Sequence, residues 1–168
     1  MWGRLLLAID QFGTGQTALD FTAGLASATG SQVRVLHLRE LPRSLRVPPL
    51  ETAAEARSLV EEAVRSLHLA GIVAEGRAPS VRSERVAGAI VDEAVRFGAD
   101  VIVLGSRRLR GLGRLSSQGV REAVLRLSPL PVVAAPAPIA GAIHPPVGPR
   151  AALTHRSADG GRPGGLRA

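Results

Sequence analysis

The chain has no cysteine, no lysine and no tyrosine, and each absence excludes a class of chemistry. Without cysteine there is neither a disulfide nor a zinc–thiolate site, so the fold must hold by burial alone, and the redox compartment is left open. Without lysine there is no amine nucleophile, no Schiff base and no phosphate-binding P-loop lysine; every cation is arginine. Aromatic residues amount to Trp2, Phe12, Phe21 and Phe97. That is too few to build the stacking platforms of single-strand nucleic-acid binders, which argues against a nucleic-acid partner. Long apolar runs are missing too. Leu5 to Ile9 is broken by Asp10 after five residues. This is shorter than the apolar region of a signal peptide and far short of a membrane span, so the run reads as a strand and the expectation is a cytoplasmic protein with no membrane partner.

What is present suits one globular domain: 168 residues, 45% of them hydrophobic, are enough for a single core. The net charge of +7 is unevenly placed, since residues 139–168 hold four arginines against Asp159. Such a basic balance bears on association with polyanions, not on fold.

The stretch from Val101 to Ala135 is the most informative. Val101, Ile102, Val103 and Leu104 stop at Gly105 and Ser106, the pattern of a buried parallel strand whose carboxyl end opens into a loop. A helix then carries Val120, Ala123, Val124 and Leu127 on the face toward a sheet, with Arg121, Glu122 and Arg126 turned away, until Pro129 stops it. Its amino end, expected near Ser117 to Val120, offers unpaired N–H groups that attract phosphate.

Upstream, strands are expected at Arg4 to Asp10, Gln32 to Arg39 and Ile72 to Gly76, the last at a sheet edge. Helices are expected from Thr14 to Gly30, from near Glu51 to Gly71, and from an N-cap at Ser83 to Gly98. Helices alternating with short apolar strands call for a parallel sheet covered on both faces, an α/β fold of five strands. Residues 138–168, with no periodic apolar pattern and rich in proline and glycine, are expected to form a disordered tail behind a domain at 1–137.

Several segments together resemble the universal stress protein (UspA-like) family. LLLAIDQFGTGQTALDFTAGLA is similar to that family's first strand and helix, VRVLHL to its second strand, EAVRFGADVIVLGSRR to the run into its glycine loop, and REAVLRLSPLPVVAAP to its close. The resemblance implies a Rossmann-like fold of the adenine nucleotide alpha-hydrolase type, a stress-response binding or signalling role without catalysis, and a homodimer formed through the last strand, Val132 to Ala135. It implies ATP as the cofactor of those members that bind one, with contacts at Ala8, Ile9, Asp10, Leu38, Leu104, Gly105, Arg108, Gln118, Gly119 and Val120. ATP-holding members carry a glycine, two residues, a glycine, nine residues, then glycine and serine or threonine. Here those positions are Gly105, Arg108, Gln118 and Gly119, so one of the four matches. Glycines there admit the phosphates closely and allow positive φ, which costs a residue with a Cβ on the order of 1 kcal/mol. The expectation is weak or no ATP binding.

Two alternatives stand beside it. Arg107, Arg108, Arg110 and Arg114 place four cations in eight residues, and guanidinium groups recognise phosphate in a bidentate way, so charge can compensate for lost glycines; the same run can serve a polyanion, or be a solvated loop. Asp10 can bind a ribose hydroxyl or cap the following turn. His37 reads as a packed strand residue, and no metal-ligand spacing is present. The pairs Glu61-Glu62 and Asp92-Glu93 read as solvated helix faces, and Ser106 lacks the second glycine and the histidine of a nucleophile elbow. No catalytic residue is assigned.

Overall fold

Three consecutive leucines, Leu5, Leu6 and Leu7, are all 0% exposed, which only a strand covered on both faces achieves, since successive side chains point to opposite sides. The computed structural model describes residues 2–10, 15–44, 46–105 and 114–135, without the side chains of 114–118. In chain order the elements are β1 (Arg4–Ile9), α1 (Gly15–Thr29), β2 (Gln32–His37), β3 (Arg39–Leu41), α2 (Ala53–Leu69), β4 (Ala74–Arg77), β5 (Ser80–Arg82), a 3-10 turn (Ser83–Arg85), α3 (Val86–Phe97), β6 (Val101–Leu104), α4 (Arg114–Leu127) and β7 (Val132–Ala134).

Five strands form one parallel sheet in the order β4-β2-β1-β6-β7. Alternation along the strands divides the core. Leu5, Leu7, Val33, Val35, Val101 and Val103 pack with α1 and α2, while Leu6, Leu36, Ile102 and Leu104 pack with α3 and α4. The result is a three-layer α/β/α arrangement, as the alternation of elements requires. Beyond Leu38 the second strand resumes as β3, paired in parallel with β5, and the ladder is interrupted where Pro79 has no N–H to give. β4 lies at the edge of the sheet, as expected, and Gly76 within it has a physical reason: a Cβ there would overlap Val60 Cγ1 of α2.

Local signals place most boundaries. Thr52 and Glu55 form a reciprocal capping box at the start of α2, and Gly98 ends α3 with φ 67°. The expected cap at Ser83 is corrected. Residues 83–85 form a 3-10 turn, and Ser83 Oγ instead donates to the Leu41 carbonyl at 3.4 Å, because β5 ends immediately before it and holds it against β3. The helix after the loop begins at Arg114, earlier than Ser117, and its apolar stripe stops at Val124, since Leu127 is 57% exposed.

At the amino ends of the central strands, Asp100 accepts from the Gly3 and Arg4 backbone N–H groups at 2.7 and 2.9 Å. Those bonds, first the one from Gly3 and then that from Arg4, hold its carboxyl below the ordinary 3.8. A depressed folded-state value means a contribution present above the unfolded pKa and lost as pH falls through the folded one. Asp100→Asn is therefore expected to flatten the decline in melting temperature below about pH 4. Melting curves with the same acid limb in both proteins would contradict this.

Candidate functional site

The direction in which the chain winds its sheet defines the cleft. From β1 the chain proceeds outward through β2 to β4, then crosses back over to β6 on the other side of β1 and ends at β7. The order therefore reverses between β1 and β6, and in open α/β sheets the crevice at the carboxyl ends of the strands flanking such a reversal receives the ligand. Ala8 lies opposite Leu104 in the β1–β6 register, and Ile9 lies opposite His37 in the β1–β2 register. The fold thus gathers Ala8, Ile9, Asp10, Leu38, Leu104 and Gly105 at one end of the sheet. Leu38 and Leu104 are buried, and the other four are half-buried.

Val120 and Gly119 come from α4. Val120 packs against the α3–α4 side of the core, whereas Gly119 is exposed with open space where a Cβ would stand. Gln118 lies on the same helix, but its side chain is outside the described residues, as are Arg108, Phe12, the arginine run from 107 to 110, the side chain of Arg114, and the tail.

The structure adds three groups that the sequence reading had assigned elsewhere. The first is His37, which has a partner. Its Nε2 lies 2.6 Å from Glu51 Oε1 and its Nδ1 3.1 Å from the Ile9 carbonyl oxygen, with the side chains of His37 and Glu51 only 4% and 8% exposed. Both ring nitrogens face oxygen acceptors, so the contacts are satisfied only with a proton in each: imidazolium with carboxylate, or imidazole with carboxylic acid. No ring nitrogen is left over to act as a base. The pair instead ties the end of β1, through β2, to the residue before the α2 cap, and Arg39 Nε reinforces it by donating to the Glu51 carbonyl at 3.0 Å. Fourteen residues and a proline-bearing loop separate His37 from Glu51, so no local pattern announces the pair.

The second is Glu93, which is 3% exposed and no part of a solvated face. It accepts from Arg34 at 2.9 Å, from Arg77 at 3.3 Å and from Arg96 of its own helix. Arg34 also pairs with Glu75 and lies over the Phe97 ring at 4.1 Å. A sequence signal existed: Glu93 falls three residues after Ile90 and seven after Val86, on the apolar stripe of α3.

The third is Arg121, expected to point away from the sheet. Its Nη2 donates to the Gly105 carbonyl at 3.1 Å, because helical side chains lean toward the helix amino end, which here is the carboxyl end of the sheet.

A cavity of about 560 Å³ opens at the opposite end of the sheet between Gly3, Ser31 and Gly71, with no charged side chain lining it. It lies away from the reversal of strand order. Among the described residues no three His, Asp or Glu side chains gather as a metal site, and no described helix is long and apolar enough to cross a membrane.

A doubly wound parallel sheet whose order reverses beside a glycine-ended strand defines the class of α/β proteins that bind ligands at the strand ends. The family model described as Universal stress protein family matches residues 1–136, and the chain belongs to that family. Its structure is similar to a universal stress protein from Archaeoglobus fulgidus, with 27% identity, a TM-score of 0.63, and 80% of this chain and 98% of that one covered. It is also similar to an Archaeoglobus fulgidus universal stress protein solved in complex with dAMP, at 25% identity and TM-score 0.59, covering 79% and 96%. A protein of the family from Burkholderia pseudomallei shares the fold at 24% identity and TM-score 0.65, covering 80% and 96%. No curated protein sequence matches the chain. Family and fold support a binding or signalling role of the general universal stress protein kind.

Proposed function

We propose that the chain is a non-catalytic stress-response binding module whose cleft between β1 and β6 admits an adenine nucleotide and holds ATP weakly. The observation that carries this reading is the Ala8–Leu104 juxtaposition at the reversal of strand order, with Asp10 and Gly105 immediately beyond it. It is supported by the dAMP complex of the similar Archaeoglobus fulgidus protein. Ala8, Ile9, Leu38 and Leu104 offer apolar and backbone surface for the base, Asp10 an acceptor for a ribose hydroxyl, and Gly105, Gly119 and Val120 the approach to phosphate. In the sequence, Arg108 and Gln118 replace the glycines that in ATP-holding members let a triphosphate come close.

Calorimetric titration with ATP tests this. The unaltered protein is expected to bind with a dissociation constant weaker than about 10 μM, roughly −7 kcal/mol. The variant Arg108→Gly/Gln118→Gly/Gly119→Ser is expected to bind at least tenfold tighter. Tight ATP binding by the unaltered protein would show instead that the loop arginines compensate for the missing glycines.

The homodimer belongs to the same proposal. Among the described residues β7 is the outer strand beside β6, short and preceded by Pro131, and its side away from β6 is where a second copy would pair.

A further inference from the structure

β4 is the opposite edge of the sheet from β7, and among the described residues no strand pairs with it on its outer side. In the parallel ladder with β2, the Val33 N–H donates to the Val73 carbonyl and Val33 stands level with Ala74. Residues 73, 75 and 77 therefore bond inward, while Ala74 and Gly76 turn their N–H and C=O groups outward. His68 Nε2, 2.9 Å from the Ala74 carbonyl oxygen, occupies one of these groups. The Ala74 N–H and both groups of Gly76 begin a ladder that an extended chain can continue.

The charges beside this edge are of unequal number. Arg34, Arg77 and Arg96 converge on Glu93, and Arg34 also holds Glu75, so three guanidinium groups face two carboxylates. Glu93 is buried. Arg77 and Arg96, by contrast, are 48% and 61% exposed, and each gives Glu93 hydrogens from Nη1 alone, Arg77 across 3.3 and 3.4 Å. A guanidinium has five N–H donors, so both keep donors within reach of an outside acceptor, and the buried carboxylate fixes where they stand. Arg77 belongs to β4 itself and faces α3, the face on which every second side chain of an added strand would lie.

We propose that the outer edge of β4 docks an extended acidic segment of a partner protein, added as a sixth strand whose alternate carboxylates meet Arg77 and Arg96. Backbone hydrogen bonds supply the affinity and the alternating side chains the selection. The surplus of positive charge decides against a second copy, which would bring the same arginines within a chain of net charge +7, and whose exposed Glu75 is already held by Arg34. A nucleic acid would satisfy the arginines but has no amide ladder for Ala74 and Gly76. The surface lies apart from the β1–β6 cleft and from β7, so the inference stands whether or not the cleft takes a nucleotide.

The test is fluorescence anisotropy of a labelled octapeptide alternating glutamate and threonine, titrated with the full chain at low salt. Beside it runs the same peptide methylated at every backbone nitrogen, which keeps the charge and loses the N–H donors. The unaltered protein is expected to bind the first at least tenfold more tightly than the second. Hydrogen exchange at the Ala74 and Gly76 amides is expected to slow about tenfold when the first is bound. Arg77→Gln/Arg96→Gln, checked for folding by circular dichroism, is expected to weaken the first peptide about tenfold. Equal binding of the two peptides, or unslowed exchange at Ala74 and Gly76, would mean attraction by charge alone and overturns the proposal. Unchanged binding in the double variant would place the peptide on another basic part of the chain, with the same consequence, as would no binding at millimolar concentration. If exchange at these amides slows with protein concentration before any peptide is added, the edge belongs to a second copy. If a single-stranded oligonucleotide of equal charge binds more tightly and with the same dependence on Arg77 and Arg96, the patch serves nucleic acid. Either result overturns the proposal. Should the double variant not fold, Arg96→Gln, which alters the more exposed arginine, decides by the same criterion.

Discussion

Replacing Glu93 by alanine is expected to lower the free energy of unfolding by about 2 to 3 kcal/mol, read as a reduced urea midpoint at unchanged slope. Removing one member of a buried ion pair typically costs about 3 to 5 kcal/mol because the partner's charge is left in a poor solvent. Here the partners are unequally placed. Arg34 has a side-chain exposure of only 16%, whereas Arg77 and Arg96, at 48% and 61%, can turn back to water. Arg34 also keeps Glu75 and its place over Phe97, which brings the expected loss below the full figure. Glu75→Ala, removing a carboxylate 56% exposed, is expected to cost less than about 1 kcal/mol. The double change Arg34→Met/Glu93→Leu is expected to restore much of what Glu93→Ala loses, since an apolar pair of similar volume needs no compensation for desolvation. A loss under about 0.5 kcal/mol in Glu93→Ala would mean that the arginines gain nothing from being gathered at that carboxylate.

The second large effect is expected at the clamp beside the cleft. His37→Ala leaves the buried Glu51 carboxyl group without its hydrogen-bond partner and opens a cavity at the end of β2, for an expected loss of about 3 kcal/mol. Glu51→Gln is expected to cost less than about 1 kcal/mol, because an amide N–H can donate to a neutral Nε2 while Nδ1–H still donates to the Ile9 carbonyl. This contrast is the informative part. Equal losses in the two variants would show that the contact needs an ion pair and that a neutral hydrogen bond cannot replace it. Hydrogen exchange would locate the effect, with faster exchange expected at the start of α2 in His37→Ala and near-normal exchange in Glu51→Gln.

The fold was legible to the extent that it is written in local pattern. The run Leu5 to Ile9, the glycines at 30, 71 and 98, and the helical spacing of Val86, Ile90 and Phe97 identify elements whose ends the structure places within a few residues of expectation. The helix expected to start near Glu51 begins at Ala53, and the reciprocal bonds of Thr52 and Glu55 that fix its start are a detail the structure adds. β5 was not expected. Three residues with two of them exposed carry no burial signal, and the strand exists because β3 offers it a partner.

The site divides along the same line. Ala8, Ile9, Asp10, Leu38, Leu104 and Gly105 could be placed at strand ends from the sequence, because strand length and a following glycine are local properties. What they meet there could not. His37 with Glu51, Glu93 with Arg34, and Arg121 with Gly105 join residues 14, 59 and 16 positions apart, and side-chain charge alone does not say which partner the packing will supply.

The sequence by itself determined the class of this protein: five parallel strands, helices on both faces, and an open end after a glycine-terminated strand, all following from the period of apolar residues and the conformational limits of glycine and proline. Only the tertiary structure decided where its buried charges go. Hydrophobic burial is encoded by periodicity along the chain, whereas a hydrogen bond or ion pair depends on distances of about 3 Å that exist only once separate elements have been brought together.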